Sequence, residues 1–185
     1  NRDEDGYGMN TRQIDEAKDE GVSLIITVDN GINSVDEIEY ANSLDIDIVI
    51  TDHHLPKGET PNAVAVVDPH RNSNDIFKDL SGVGVAFKLV CAIEHRAPEE
   101  MLPYFGDLVA IGTVADIMPL VEDNRSIIRY GLEVLNKRRR VGVSALMKVS
   151  GSYGKEINTG VISFQIAPRL NSAGRMSDAS LSVKL

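Results

Sequence analysis

The sequence predicts an α/β fold, a mostly parallel sheet flanked by helices that becomes helical in its second half. Three observations carry that expectation. Short runs rich in Val and Ile, at 23–28, 46–51 and 63–67, each end in an aspartate. Segments with helix-capping residues lie beside the first two runs. From Leu80 onward, helix-like segments punctuated by Gly and Pro replace the β-branched runs. Strand runs spaced by helices are the pattern of a parallel sheet covered on both faces.

Taken in order, Asn10 can cap a short helix through Glu20, with Gly21 at the stop position. Ser23 to Val28 forms the first strand and ends at Asp29-Asn30-Gly31. Ser34 followed three residues later by Glu37 is a capping box, opening a helix to about Leu44. Ile46 to Thr51 forms a second strand ending at Asp52-His53-His54, and Ala63 to Val67 a third ending at Asp68-Pro69-His70. Helices are then expected over Gly84–His95, Asp107–Asp116, Arg125–Lys137, Val143–Val149 and Thr159–Ile166, and another begins near Asp178.

A length of 185 residues suits one large domain, or a domain plus a fragment. No apolar run approaches the roughly 18 to 20 residues of a membrane span. The absence of an initiator Met suggests an internal piece of a longer protein, and a signal region is not evident. The one cysteine, Cys91, sits among apolar residues and reads as a buried, inert thiol, which fits a reducing cytoplasm. Net charge is −9, which argues against a general nucleic-acid binder. The charge is uneven, however: residues 1–95 carry a balance of −12 and residues 96–185 one of +3. An acidic half for cations and a basic half for phosphates is one explanation, and a solvated acidic surface is the other.

In open parallel sheets, ligands bind at the C-terminal ends of the strands. Three carboxylates there, two followed by His, point to a metal site. Without a Cys cluster, such donors favour Mn²⁺ or Mg²⁺ over structural zinc. Two such ions about 3.5–4 Å apart can activate water and clamp an in-line phosphoryl displacement. Asp29 suits a bridging carboxylate, and His53 offers a neutral imidazole nitrogen. Asp52 and His54 could orient His53 and bind the scissile phosphate. Asp68 could equally be a helix cap.

Asp116 lies in an apolar stretch, where a buried carboxylate without a partner is costly, so a ligand role is favoured. Arg169 and Arg175 flank small residues and Asn171, which would let a phosphate approach closely. The Lys137–Arg140 run could grip phosphates or complement a helix dipole. His70 and His95 read as structural or surface residues. Tyr7, Tyr104, Tyr130 and Tyr153 are too scattered to suggest a base-stacking platform.

The segments Val28-Asp29-Asn30-Gly31, Thr51-Asp52-His53-His54 and Gly112 to Leu120, which contains Asp116, resemble successive motifs of the DHH phosphoesterase superfamily. Leu80 to Lys88 and Ala167 to Met176 narrow this to a resemblance to the RecJ family of single-strand-specific DNA exonucleases. The five motifs run colinearly over Asn1 to Leu185. The resemblance implies 5′-to-3′ hydrolysis of single-stranded DNA with two divalent cations, Mn²⁺ or Mg²⁺. It makes Asp29 the metal bridge, His53 and Asp116 ligands of one ion, His54 a phosphate contact and Asp52 an orienting group. Arg169, Asn171 and Arg175 become the DNA-phosphate site.

The superfamily's first aspartate-rich motif is not found upstream of Asp29, and Asp3-Glu4-Asp5 does not replace it. The expected organisation is therefore a DHH core at 1–177 lacking its first strand and motif. Residues 178–185 would then start a helix toward an absent C-terminal domain. Such a piece alone is expected to be weak or inactive. Single-stranded DNA is the implied partner, with helicases and single-strand-binding proteins as natural neighbours. Two other readings remain: a phosphodiesterase of short oligonucleotides, cyclic dinucleotides or pyrophosphate, and a non-catalytic acidic α/β scaffold.

Overall fold

Strand register organises the first half of the chain. A computed structural model describes residues 8–71, 77–176 and 180–185, with side chains 173–181 outside that description. The chain divides into two units, Tyr7–Ala86 and one built on Phe87–Leu185.

In the first unit the order is α1 (Thr11–Asp19), β1 (Leu24–Val28), α2 (Val35–Ser43), β2 (Asp47–Thr51) and β3 (Ala65–Val67). Asn10 caps α1, its side-chain oxygen accepting from the Gln13 N–H at 3.0 Å. Gly21, with φ of +76°, turns the chain toward β1. The three strands are parallel in the order β1-β2-β3, with Val28 opposite Thr51 and Thr51 opposite Val67. Each following residue, Asp29, Asp52 and Asp68, thus leaves the same edge of the sheet. The Asp29 and Asp52 N–H groups extend the ladder to the carbonyls of Thr51 and Val67, at 2.9 and 3.0 Å.

Ile14 of α1, Ile38 and Ala41 of α2, and Ile46, Ile48 and Ile50 form one buried cluster. Each such isoleucine contributes roughly 1.5–3 kcal/mol on burial, enough to fix the register against a slip that would turn β2 inside out.

Two expectations are corrected here. The sheet is not fully covered: Ile48, Ile50 and Thr51 of β2 are buried, while Leu24, Ile26 and Val28 of β1 are half exposed. The capping box at Ser34 does not form, although Ser34 is the cap residue by position. The preceding turn is fixed from elsewhere, because Ile32 donates its N–H to the Asp52 carboxylate at 3.0 Å.

Helix α3 (Gly82–Ile93) begins in the first unit and continues into the second. There follow α4 (Pro98–Ala115), α5 (Glu122–Asn136), α6 (Val141–Val149) and the short α7 (Thr159–Val161). A π-helical stretch, Ile162–Ile166, then runs directly into α8 (Ala167–Met176), and α9 spans Ser180–Lys184. The predicted helix at 107–116 is thus nine residues longer at its start. Pro103 lies inside it, a lost backbone bond offset by burial of Met101 and Leu102. The predicted break at Ala167-Pro168 does not occur either. Widening to π spacing just before Pro168 accommodates the missing N–H, and the helix continues.

Helices α4 and α5 cross closely at Gly106 and Gly131. Ala110, Ile111 and Val114 of α4 share a core with Ile128, Leu135, Met147, Ile157, Ile162 and Ile166. Cys91 is buried and unpaired, as expected. Among the described residues no helix is long and apolar enough to cross a membrane. Asp178, the expected start of the last helix, lies outside the described residues, as do Asp3, Glu4, Asp5 and Tyr7.

Candidate metal centre

The strand ends of the first unit bring Asp29, His53 and His54 together. Each offers one ligand atom, and the three atoms lie within 4.8 Å of one another. His53 Nε2 stands 3.0 Å from Asp29 Oδ1, and its side chain is almost covered while that of Asp29 is half open. The two imidazole rings are 4.6 Å apart between centroids.

Asp52 lies beneath them, 1% exposed. Its Oδ1 accepts from the backbone N–H groups of His53 and His54, at 2.7 and 3.2 Å, and sits 2.7 Å from His54 Nδ1. Its Oδ2 takes the Ile32 N–H. Burial alone would raise the Asp52 pKa, yet these hydrogen bonds, led by that of Ile32, hold it below the usual carboxylate range. A carboxylate at Nδ1 keeps the proton on that nitrogen and turns Nε2 of His54 outward as the acceptor.

Asp29 is held in an unusual backbone conformation, φ +65°. Around it Thr51 Oγ1 donates to the Thr27 carbonyl at 2.6 Å, Thr27 Oγ1 to the Asn30 carbonyl at 2.7 Å, and Asn30 Nδ2 to the Val28 carbonyl at 3.0 Å. Gly31, at φ +110°, completes the turn, and a Cβ there would come 2.8 Å from Thr27 Oγ1. Opposite stands the start of α3. A Cβ on Gly82 would overlap the Asp29 side chain, so only glycine lets that helix end reach the carboxylate. Gly82 and Thr51 stand in the sequence only as members of the Leu80–Lys88 and Thr51–His54 motifs, because their individual roles arise from contacts tens of residues away.

The Asp29 carboxylate and the His53 imidazole, pre-positioned beside the partly open His54, fit a divalent transition ion such as Mn²⁺. Asp68 shares the same sheet edge and is 7% exposed. Its Oδ1 accepts from the His70 N–H at 2.7 Å, closing a turn, and among the described residues its Oδ2 has no hydrogen-bond partner. Burial pushes its carboxyl up, and the nearby negative charge of Asp52 adds to that.

The remaining predicted residues belong to the helical unit. Asp116 is the C-cap of α4 and is exposed, not buried as its apolar neighbours suggested. The chain turns there through Ile117, a β-branched residue at φ +57° and 89% exposed. Asn171 lines a hollow of about 540 Å³ with Val114, Ala115, Ile117 and Phe164. Phe164 is an aromatic residue 82% exposed, away from the scattered tyrosines in the sequence. Arg169 is exposed and donates to the Gln165 carbonyl at 2.6 Å. The Arg175 side chain lies outside the described residues.

The model of the DHH family, N-terminal domain, matches residues 3–113. The chain belongs to the DHH family. That match takes in Asp29, Asp52, His53, His54 and Gly82. Across its whole length the chain is 45% identical to the single-stranded-DNA-specific exonuclease RecJ of Bacillus subtilis (strain 168) and covers 23% of it. It is 40% identical to the enzyme of the same name from Escherichia coli (strain K12), covering 34% of that protein. The chain thus spans about a quarter to a third of these relatives. A crystal structure of exonuclease RecJ bound to manganese matches 99% of the chain and 46% of its own, at 33% identity and a TM-score of 0.83.

Proposed function

We propose that the chain is the metal-binding part of a DHH-family exonuclease that hydrolyses single-stranded DNA from the 5′ end, using Mn²⁺ or Mg²⁺. The observation that carries this reading is the convergence of Asp29, His53 and His54 at parallel strand ends. The names of the RecJ relatives support the substrate, and the polarity rests on the motif resemblance alone.

A divalent cation bound there supplies Lewis-acid stabilisation of charge building on the phosphoryl oxygens. Asp29 and His53 would hold it, and Asp116 is a proposed ligand on its motif alone. Asp52 keeps His54 in one tautomer and orientation through the 2.7 Å contact at Nδ1. His54 then presents Nε2 toward the scissile phosphate or its leaving oxygen. Arg169, Asn171 and Arg175 are proposed phosphate contacts. Helicases and single-strand-binding proteins are the partners this activity implies.

Calorimetric titration with Mn²⁺ tests the centre, with nucleotide release from 5′-labelled single-stranded DNA as the second readout. Asp29→Ala and His53→Ala are each expected to weaken Mn²⁺ binding at least tenfold, in line with loss of a direct ligand, while the circular dichroism stays unchanged. Wild-type binding that survives both substitutions would sink the metal centre. Faster hydrolysis of cyclic dinucleotides than of long single strands would replace the exonuclease by a small-substrate phosphodiesterase.

A further inference from the structure

The helical unit carries a basic surface for which the metal chemistry has no use. Between Lys137 and Lys155 the sequence holds six cations and no Asp or Glu, in a chain of net charge −9. Two of the six serve the fold. Arg140 forks onto the buried Asp107 carboxylate, at 2.7 and 3.1 Å, and onto the Tyr104 carbonyl at 2.8 Å. Arg138 donates to the carbonyls of Asn136 and Lys155, at 3.3 and 2.7 Å, tying the turn after α5 to the loop after α6.

That tie also fixes the Arg138 guanidinium 5.5 Å from the Tyr153 ring centroid, while Lys148 Nζ stands 4.9 Å from the same centroid. Tyr153 is 41% exposed, and Lys137, Arg139, Lys148 and Lys155 are exposed as well. The ion pairs of Lys88 with Asp123, Arg96 with Glu100 and Arg140 with Asp107 engage neither Arg138 nor Lys148 nor Lys155.

A ring attracts cations through its quadrupole but does not neutralise them. Two cations fixed against one ring repel each other, and an anion set between or beside them removes that repulsion. Cations set over a half-exposed aromatic ring, next in the chain to the exposed Val149, match the pairing of backbone charge with base contact that single-strand binders use.

We propose that the surface around Tyr153, where Arg138 and Lys148 lie over the ring and Lys155 is tied to Arg138, with the exposed Arg139 next to Arg138 in the chain, binds the phosphodiester backbone of single-stranded DNA. The identity of the polyanion rests on the exonuclease reading above; the existence of the anion-binding surface does not.

The test is fluorescence anisotropy of a labelled oligo-dT with the chain in EDTA, over a series of NaCl concentrations. The triple variant Arg139→Ala, Lys148→Ala, Lys155→Ala spares the structural Arg138 and Arg140. It is expected to bind at least tenfold more weakly at low salt. Its slope of log affinity against log salt is expected to be shallower by about two, since each lost contact with single-stranded DNA removes about 0.7. The charge-conserving variant Arg139→Lys, Lys148→Arg, Lys155→Arg is expected to bind like wild type. An alanine variant with wild-type affinity and slope overturns the proposal, and so does a wild-type chain that binds no oligo-dT at low salt.

Mn²⁺-dependent cleavage of a trinucleotide reports the exonuclease reading separately. Cleavage that persists beside an unaffected alanine variant removes the surface and keeps the enzyme. Absent cleavage beside a weakened variant keeps the surface and removes the enzyme.

Discussion

Gly82 controls the geometry of Asp29 through the absence of a side chain. Alanine at the first turn of a helix is ordinarily neutral or favourable, since it lowers the entropy lost on folding. Here its Cβ would overlap the Asp29 side chain. Because the overlap reaches the Asp29 Cβ as well as its carboxylate, Gly82→Ala is expected to lower Tm by a few degrees through overpacking and to weaken Mn²⁺ binding roughly tenfold, a cost of about 1.4 kcal/mol. Calorimetry beside a melting curve checks both; an unchanged Mn²⁺ affinity would mean that Asp29 keeps its place without Gly82.

Asp68 and Asp52 lie on one sheet edge and respond to pH in opposite senses. Burial raises the Asp68 carboxyl, so its contribution to stability is full below the unfolded pKa and lost as pH rises through the folded value. The metal-free protein accordingly carries a penalty at neutral pH, and Asp68→Asn is expected to raise Tm at pH 7. That gain should vanish at a pH below the ordinary aspartate range, where both states are protonated. Asp52 is depressed by its hydrogen bonds, so its contribution is present at neutral pH and disappears as acid titrates the folded carboxylate. A Tm for Asp68→Asn equal to wild type at pH 7 would show that the buried carboxyl is tolerated as it stands.

Among the elements, the α4–α5 crossing gives the sharpest asymmetry. A Cβ on Gly131 would run into the Ala110 Cβ and the Gly106 carbonyl, whereas a Cβ on Gly106 would meet nothing nearer than 3.5 Å. Gly131→Ala is expected to cost about 1–3 kcal/mol through overpacking, lowering Tm by several degrees. Gly106→Ala is expected to be neutral or better, and equal losses would mean that the helices are free to part. The elements of the first unit were legible because their signals are local: β-branched runs, the Asn10 cap, and Asp-His-His after a strand. What escaped the sequence arises from distant partners. Ser34 lost its expected role because Asp52 already holds the neighbouring turn. Pro103 and Pro168 look like helix ends until Met101 and Leu102 are seen buried and the π stretch absorbs the second proline.

At the scale of the whole chain, the acidic first half and the basic second half fall in different units of the fold. The acidic half holds the sheet whose ends carry Asp29 and His53, and the other contains the Tyr153 surface. Net charge alone hides this, because −9 averages an acidic half with a basic one. The charge run at Lys137–Arg140 was ambiguous for a related reason. Two of its four members turn inward onto Asp107 and onto backbone carbonyls, which no pattern of charges along the chain reveals.

Because Val28 pairs with Thr51, the two donors Asp29 and His53 meet although 24 residues separate them in the chain. A cation held by both would act as a removable staple across that crossover, closing a loop whose entropy the unfolded chain would otherwise keep. It would also act as a gauge of pairing, since a shift of one residue moves a donor by about 3.3 Å and turns it to the opposite face. Mn²⁺ affinity would then report whether β1 and β2 have found each other correctly, and adding the ion during refolding would favour chains that have.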